Sequence, residues 1–301
     1  MGTPVFAEKP LERLYFDNHD ILGVFTQPDK PRNRGMKLSY SPVKELALKH
    51  GTPVYQPESL RGQDTAEILR TLKCDLIAVV AYGKLLPIEI LRMPSNGCIN
   101  IHGSILPKYR GAAPIQWAVI NGERETGVTS QYMGEDIDAG DILQIKKTQI
   151  GDDETAGELF DRLSVLGADL LSETIDSISA GNATRIPQNN SEATYAPLIR
   201  KDLSPIDWTK TAHSIKCKVR GLNPWPVATT EIGGALYKVF TVEANGMKSG
   251  KVPGKVVSAG ERGIEIACAD GTVIIKELQA PGGKRMDAAN YLRGHLIEGL
   301  F

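Results

Sequence analysis

The sequence lacks the patterns that would assign it to a membrane, zinc-binding or dinucleotide-binding class. None of its apolar runs approaches the roughly 18 residues that a membrane-spanning helix needs, and no basic-then-apolar signal pattern opens the chain. The four cysteines are scattered without Cys-x-x-Cys spacing, which favours free thiols in a reducing cytoplasm over a zinc site or disulfides. No Gly-x-Gly-x-x-Gly follows a predicted strand, so a nucleotide-binding oxidoreductase is set aside.

The length, composition and charge distribution fit a globular protein of two domains. The chain has 301 residues, of which 41% are hydrophobic and 24% charged. Residues 195–301 hold 15 Lys+Arg and 10 Asp+Glu, a net charge of +5, whereas the remainder holds 20 and 26, a net charge of −6. The basic C-terminal segment permits a polyanionic partner, but ordinary solvated charge explains it equally well.

Short apolar runs alternate with helical stretches over the first 180 residues. The predicted strands are residues 21–26, 52–55, 75–81, 97–102, 126–133 and 142–150, and the predicted helices are residues 41–50, 65–72, 113–121 and 155–180. Ser41 is the predicted N-cap of the first of these helices, followed by a proline at its first position. This alternation predicts an α/β domain with a Rossmann-like, mostly parallel sheet over residues 1–180, and ligands beyond the strand C-termini.

The remainder of the chain is predicted to form a smaller β domain. Residues 181–198 are polar and rich in helix breakers, which indicates a linker. One helix near residues 211–220 then precedes five short β-like runs, at residues 227–232, 235–242, 254–257, 263–268 and 272–278. Five such runs between glycines and prolines predict a small β-barrel of the oligonucleotide-binding (OB-like) kind over residues 199–301.

An Asn-x-His pair at the end of one predicted strand is the candidate catalytic feature. Asn100 and His102 lie on the same face because strand side chains alternate, and Asp138 follows 36 positions after His102 in an Asp/Gly-rich loop. An amide can stabilise an oxyanion, an imidazole can transfer protons, and a carboxylate can fix the imidazole tautomer and share its protons. A single histidine after an apolar strand is more often a packing residue, so the spacing alone leaves both interpretations open.

Further motifs along almost the whole chain resemble those of the folate-dependent formyltransferases, and within that superfamily those of the methionyl-tRNA formyltransferases. Besides Asn-x-His, the Ser-Ile-Leu-Pro loop and the distant Asp, they are residues 2–7, 27–31 with 34–35, 41–44, 109–116, 125–129, 193–197, 206–208 and 224–226. The resemblance implies transfer of a formyl group from 10-formyltetrahydrofolate to the amino group of initiator methionyl-tRNA, which serves translation initiation. It also implies a cytoplasmic enzyme, expected to be a monomer, without a metal or redox cofactor.

The same resemblance assigns roles to individual residues. Asn100 and His102 would donate hydrogen bonds to the oxyanion, and Asp138, through His102 or a held water, would accept the proton that the attacking amine loses. The folate would contact the loop and the pterin pocket formed by Ser104, Ile105, Leu106, Pro107, Lys84, Leu85, Leu86 and Asp136. Ile105 stands where Leu is usual, a swap of similar volume. For Leu85 and Leu86 a plain core role is equally well supported.

Residues 26–38 form a basic segment that the resemblance assigns to the tRNA acceptor end. Its cations are Lys30, Arg32, Arg34 and Lys37, of which Arg34 aligns with the family's key basic residue. Phosphate contacts of this kind bind without reading sequence, so affinity is expected to fall with salt. With no regular periodicity, the segment is expected to be a loop, and a solvated loop without a ligand is the alternative.

Two other functions and one departure from the family stay open at this stage. The nearest alternative is a formyltransferase acting on an amino sugar nucleotide, which shares the Asn/His/Asp site. A noncatalytic RNA-binding protein would explain the basic C-terminal segment but not the catalytic constellation. Most relatives have a short apolar strand before Met-Gly-Thr-Pro, whereas this chain begins there. We therefore expect that the natural start lies upstream or that the sequence was shortened.

Overall fold

A computed structural model of the chain describes residues 1–32 and 37–295. The helices are α1 (Val5–Phe16), α2 (Pro42–Lys49), α3 (Gln63–Leu72), α4 (Ile88–Leu91), α5 (Pro114–Ile120), α6 (Ala156–Ser179), α7 (Ala212–Gly221) and α8 (Ala288–Leu292). The strands are β1 (Val24–Phe25), β2 (Lys30–Arg32), β3 (Lys37–Ser39), β4 (Val54–Tyr55), β5 (Ile77–Val80), β6 (Cys98–His102), β7 (Arg110–Gly111), β8 (Glu125–Tyr132), β9 (Ile142–Gln149), β10 (Tyr195–Ala196), β11 (Ala228–Ile232), β12 (Ala235–Asn245), β13 (Val256–Gly260), β14 (Gly263–Ala267), β15 (Thr272–Gln279) and β16 (Arg285–Asp287).

The elements form two compact units that are not consecutive in sequence. The first contains residues 1–111, 126–148 and 160–196, and the second contains residues 112–125, 149–159 and those from 197 onward. The domain boundaries drawn from the sequence stay a prediction. None of the helices in residues 1–32 and 37–295 combines the length and the apolar character that crossing a membrane requires.

The first unit carries a four-stranded sheet in the order β5-β6-β8-β9, and a separate parallel pair, β1 and β4. Strand β6 pairs in parallel with β5, which places Asn100 opposite Val79. On its other side β6 pairs antiparallel with β8, so that Asn100 faces Gln131 and His102 faces Thr129. The α/β prediction is confirmed, and the antiparallel β6–β8 pair makes this sheet mixed where the sequence predicted a mostly parallel one.

Local sequence explains where helix α2 begins and why α6 is long. The hydroxyl of Ser41 accepts a hydrogen bond from the backbone N–H of Lys44 at 3.1 Å, which makes Ser41 the N-cap of α2 as predicted. Along the 24 residues of α6, Leu163, Leu170 and Leu171 are at most 1% exposed. Their spacing of seven and eight residues puts them on one helical face, so burial of that face stabilises the helix.

The second unit is built on an antiparallel sheet in the order β11-β12-β15-β14-β13, with β16 also paired to β15. Val219 from α7 and Val239, Ile264 and Ile275 from the sheet are fully buried in one core cluster. Trp117 from α5 packs against the same cluster. The predicted small β domain is therefore present, and it includes a helix that lies far upstream in the sequence.

Several parts of the first unit differ from the sequence prediction, and helix α4 and the short parallel pair of β7 and β10 are among the elements without a predicted counterpart. Strands β2 and β3 pair antiparallel, with Lys30 opposite Ser39, where a loop without regular structure was expected. Each strand has three residues, which is too short to produce a visible alternation. Lys30, Arg32 and Lys37 lie in these strands, and Arg34 lies outside the described residues. Helix α1 has no counterpart in the prediction because Pro10 within it is typical of a helix break.

Candidate active site

The end of strand β6 brings the three predicted catalytic side chains together. His102 is 6% exposed, and its Nδ1 atom lies 3.5 Å from Oδ2 of Asp138. Asn100 Nδ2 lies 3.4 Å from Oδ1 of the same carboxylate. Both contacts are long for hydrogen bonds, so neither the amide nor the imidazole is firmly committed to Asp138. These groups can therefore also interact with a bound substrate.

The backbone carbonyl of Tyr109 determines the tautomer of His102. The Nε2 atom of His102 lies 2.8 Å from this carbonyl oxygen. Because a carbonyl oxygen can only accept, Nε2 carries the hydrogen and Nδ1 of the neutral ring is an acceptor. This corrects the expectation that Asp138 fixes the tautomer. The Nδ1 atom that faces Asp138 can take up a proton, and in the neutral ring it cannot donate one.

Backbone and side-chain donors together orient the carboxylate of Asp138. The N–H of Gly111 donates to Oδ2 at 2.8 Å, and Nε2 of Gln131 donates to Oδ1 at 3.2 Å. Gly111 has φ of +113°, and a Cβ atom there would lie 2.9 Å from the carbonyl oxygen of Ala196. Only glycine meets both conditions without strain, so the closest donor to Asp138 depends on a glycine at this position.

Hydrogen bonds from buried hydroxyl groups hold the Ser-Ile-Leu-Pro loop in place. Ser104 is fully buried, and its hydroxyl donates to the carbonyl of Lys108 at 2.6 Å. The hydroxyl of Thr129 donates to the carbonyl of Ser104 at 2.6 Å and accepts from the N–H of Leu106 at 3.1 Å. Leu106 is 2% exposed, whereas Ile105 and Pro107 are partly exposed. Within this loop, Ile105 and Pro107 are therefore the residues accessible to a ligand.

The remaining predicted folate contacts fall into accessible and inaccessible groups. Leu85 is 67% exposed, and Asp136 is exposed as well. Leu86 is 8% exposed and belongs to a core cluster of the first unit, which supports the packing interpretation for this residue. The ammonium of Lys84 donates to the carbonyls of Pro57 and Glu58 at 2.5 and 2.7 Å. The ammonium of Lys84 therefore links its own loop to the loop of residues 57–58.

Several residues that contact the site were not predicted from the sequence. They are Tyr109, Arg110, Gly111, Gln131 and Gln188. A signal existed for Gln131, because it is a polar residue in the buried strand β8, directly opposite Asn100. Tyr109 and Gly111 act through backbone atoms, which no residue type reveals. Among residues 1–32 and 37–295, no group of three His, Cys, Asp or Glu side chains is placed to hold a metal ion.

Comparison with known proteins identifies the family. Residues 1–175 match the family model described as formyl transferase, and residues 198–296 match the model of the formyl transferase C-terminal domain. The chain belongs to the formyl transferase family. This membership confirms the resemblance seen in the sequence motifs, and it covers both structural units.

Relatives of this formyl transferase include proteins of nearly the same length. The methionyl-tRNA formyltransferase of Alkaliphilus oremlandii (strain OhILAs) is 48% identical over 99% of the chain and 96% of the relative. A solved N-formyltransferase from Helicobacter canadensis, in complex with folinic acid and dTDP-3-aminofucose, has a TM-score of 0.69 at 21% identity, covering 91% of this chain and 96% of that one. HypX from Aquifex aeolicus with tetrahydrofolic acid has a TM-score of 0.59 at 22% identity, covering 82% of this chain and 43% of that one. These structures share the fold.

Proposed function

We propose that this chain transfers the formyl group of 10-formyltetrahydrofolate to the α-amino group of initiator methionyl-tRNA. The observation that carries the proposed reaction is the convergence of Asn100, His102 and Asp138 at the end of strand β6. The proposed acceptor rests on relatives of 44–48% identity, covered over at least 93% of their length, that are named methionyl-tRNA formyltransferase. The product would be the formylated tRNA used for translation initiation.

Asn100 is the proposed donor to the oxygen of the formyl group. When the neutral amine attacks the formyl carbon, negative charge develops on that oxygen, and a fixed amide N–H stabilises it. The Nδ2 atom of Asn100 makes only a long contact to Asp138, so a hydrogen remains available for this purpose. Nδ1 of His102 carries no hydrogen whenever the ring is neutral, so we assign this donor role to Asn100.

Asp138 and His102 are the proposed groups for proton transfer. The bond between the amine nitrogen and the formyl carbon forms, and the bond between that carbon and N10 of the folate breaks. One proton leaves the new ammonium and one proton is added to N10, so the reaction is balanced in protons. Asp138 is held by Gly111 and Gln131 with Oδ1 only weakly engaged, which leaves a lone pair for the departing proton. Nδ1 of His102, 3.5 Å from Oδ2, can share it.

The proposed binding residues extend this site in two directions. Ser104, Ile105, Leu106, Pro107, Lys84, Leu85, Leu86 and Asp136 are proposed to form the folate region, where Leu86 contributes from the core and Ser104 through the shape of the loop. The exposed Leu85 gives this region an apolar surface for a pterin. Lys30, Arg32, Arg34 and Lys37 are proposed to contact tRNA phosphates, which requires positive charge and little orientation.

We further propose a cytoplasmic monomer. Methionyl-tRNA is made and used where ribosomes work, which places the enzyme in the same compartment. Asn100, His102 and Asp138 come from one chain, so the proposed chemistry does not require a second copy. Sedimentation of the purified protein at assay concentration tests the oligomeric state directly.

The test compares wild type with Asp138→Asn in formyl transfer from 10-formyltetrahydrofolate to methionyl-tRNA. The amide keeps the shape of the carboxylate but cannot take up the proton, so kcat should fall by about 10²–10⁴-fold. Affinity for tRNA should change little, and the melting temperature should fall modestly because the new NH2 group faces one of the donors on Gly111 and Gln131. Asp152→Asn, at an exposed position, is the matched control. No transfer by wild type would contradict the proposed acceptor, and an amino sugar nucleotide would be tried next.

A further inference from the structure

A glutamine in the predicted linker reaches the turn that carries Asp138. Oε1 of Gln188 accepts hydrogen bonds from Nε and Nη2 of Arg110 at 3.1 and 2.7 Å. A guanidinium has only donors, so the amide oxygen must face Arg110 and the amide nitrogen must point the other way. Arg110 is 4% exposed, which makes it a fixed reference for this orientation.

The amide nitrogen of Gln188 bridges the two ends of the Asp138 turn. Nε2 lies 2.9 Å from the carbonyl oxygen of Asp138 and 2.7 Å from that of Gly140. Asp138 has φ of +50°, a left-handed conformation that is strained for a residue with a side chain. The surrounding structure has to hold such a turn in place, and Gln188 contacts both of its ends.

Gln188 also orients the side chain that donates to the Asp138 carboxylate. Nε2 of Gln188 lies 3.1 Å from Oε1 of Gln131, so its two hydrogens are shared among this oxygen and the two carbonyls of the turn. Nε2 of Gln131 in turn lies 3.2 Å from Oδ1 of Asp138. Gln131 is 1% exposed, so its amide has few other orientations to adopt. Each side chain therefore donates a hydrogen bond to the next, from Arg110 to Gln188, from Gln188 to Gln131 and from Gln131 to Asp138. This direction fixes the orientation of both amides.

We propose that Gln188 is a positioning residue for the transfer reaction, which it serves by setting the backbone of the Asp138 turn and the amide direction of Gln131. The inference rests on the proposed function, because it assumes that Asp138 accepts the proton. In this proposal, the segment between the two matched family domains, residues 176–197, contributes a side chain that holds the active site in place. A displaced carboxylate still binds substrates nearby but transfers the proton poorly, so the expected loss is in kcat.

The decisive variant is Gln188→Glu, which keeps an oxygen for Arg110 and replaces the donor by a second acceptor. The new oxygen would face the carbonyls of Asp138 and Gly140 and would drive Gln131 to reverse its amide. We expect kcat to fall about 10- to 100-fold with KM for both substrates within about twofold of wild type. A merely structural role would lower the melting temperature and leave the kcat of the folded fraction unchanged.

Asn190→Asp is the matched control because it introduces the same charge beside the same arginine. Oδ1 of Asn190 accepts from Nη2 of Arg110 at 2.8 Å. Among the hydrogen bonds of the described residues, its side chain does not reach the Asp138 turn. We expect kcat of Asn190→Asp to stay within about threefold of wild type, since effects away from such contacts are small.

A double-mutant cycle with Asp138→Asn separates positioning from an independent effect. If Gln188 acts through Asp138, Gln188→Glu should cause no further loss of kcat in the Asp138→Asn background. An equal loss in both backgrounds, or a Gln188→Glu enzyme as active as wild type, would overturn the inference. If wild type transfers nothing to methionyl-tRNA, the proposed function fails separately. Amide hydrogen exchange over residues 138–140 then tests whether Gln188 holds the turn. Faster exchange in Gln188→Glu than in Asn190→Asp supports the positioning role, and equal exchange in the two variants refutes it.

Discussion

The Asp138 turn and the basic segment (residues 26–38) carry the two kinds of group that the proposed reaction needs, and they are held in different ways. The carboxylate and the backbone of the turn receive hydrogen bonds from Gly111, Gln131 and Gln188. The basic segment is anchored at its root, where Asp29 contacts Lys44 at 2.5 Å and Gln56 at 2.9 Å. Beyond this root it continues as the short strand pair β2 and β3.

The difference follows from what each group has to do. A proton acceptor must lie within hydrogen-bond reach of one atom, so its direction has to be fixed before the substrate arrives. A cation that contacts a phosphate acts through charge over several ångströms and needs little direction. Substitutions at the site should therefore change kcat, and substitutions in the basic segment should change affinity.

Removing the amide of Asn100, in Asn100→Ala, is expected to have a larger effect than any change in the basic segment. Loss of a single donor to a developing oxyanion lowers kcat by about 10²–10³-fold, because the charge then has no fixed partner. Methionyl-tRNA affinity should stay as in wild type, since the phosphate contacts are separate. Single-turnover transfer and filter binding measure the two quantities. Asn182→Ala, at an exposed position, is the control, and a kcat for Asn100→Ala near that of the control would remove Asn100 from the proposed mechanism.

The sequence predicted the three proposed catalytic side chains more readily than it predicted the residues that hold them. Asn100 and His102 lie two positions apart on a strand, so the alternation of the strand places both on one face. Asp138 became a candidate through the Asp/Gly-rich loop and through the resemblance. Gln188 is 50 positions from Asp138 and lies in a polar, breaker-rich segment, which has the composition of a linker. Its contact to the turn depends on tertiary structure that no local pattern encodes.

In the second unit too, local sequence patterns predicted the elements but not the partners against which they pack. The short β-like runs between glycines and prolines, from residue 227 to residue 278, predicted strands close to five of those in the sheet. The sequence prediction includes the helix at residues 113–121 in the first domain, whose boundaries stay a prediction. Trp117 of the observed helix α5 packs against the core of the second unit. Amphipathic pattern shows that a helix has a buried face and does not show which core covers it.

An intermediate effect is expected when charges of the basic segment are removed. In Lys30→Gln with Arg32→Gln, the affinity for methionyl-tRNA should fall, and kcat at saturating tRNA should stay as in wild type. Two fewer phosphate contacts should reduce the slope of log affinity against log salt by about 1.4–1.8. The control is Lys147→Gln outside the segment. A loss of kcat at saturating tRNA would contradict the expectation that the basic segment changes affinity alone, because these cations would then also orient the substrate.

The smallest effect is expected at the root of the basic segment, in Asp29→Asn. Burial opposes ionisation of Asp29, but hydrogen bonds from Lys44 and Gln56 and the charge of Lys44 outweigh it, so its pKa lies below the ordinary value. A carboxyl group with a lowered folded-state pKa stabilises the fold above its unfolded pKa of about 3.9, and this stabilisation disappears as pH falls through the folded pKa.

Wild type should therefore be more stable than Asp29→Asn by at most about 1 kcal/mol at pH 7, and the difference should shrink below about pH 4. Urea unfolding at pH 7 and at the lowest pH where the protein remains folded measures it, with the exposed Asp152→Asn as control. At pH 7, kcat should match wild type and tRNA affinity should fall less than in Lys30→Gln with Arg32→Gln. A constant stability difference across pH would mean that the Asp29 charge does not fasten the root, and a lowered kcat would mean that the root also serves the active site.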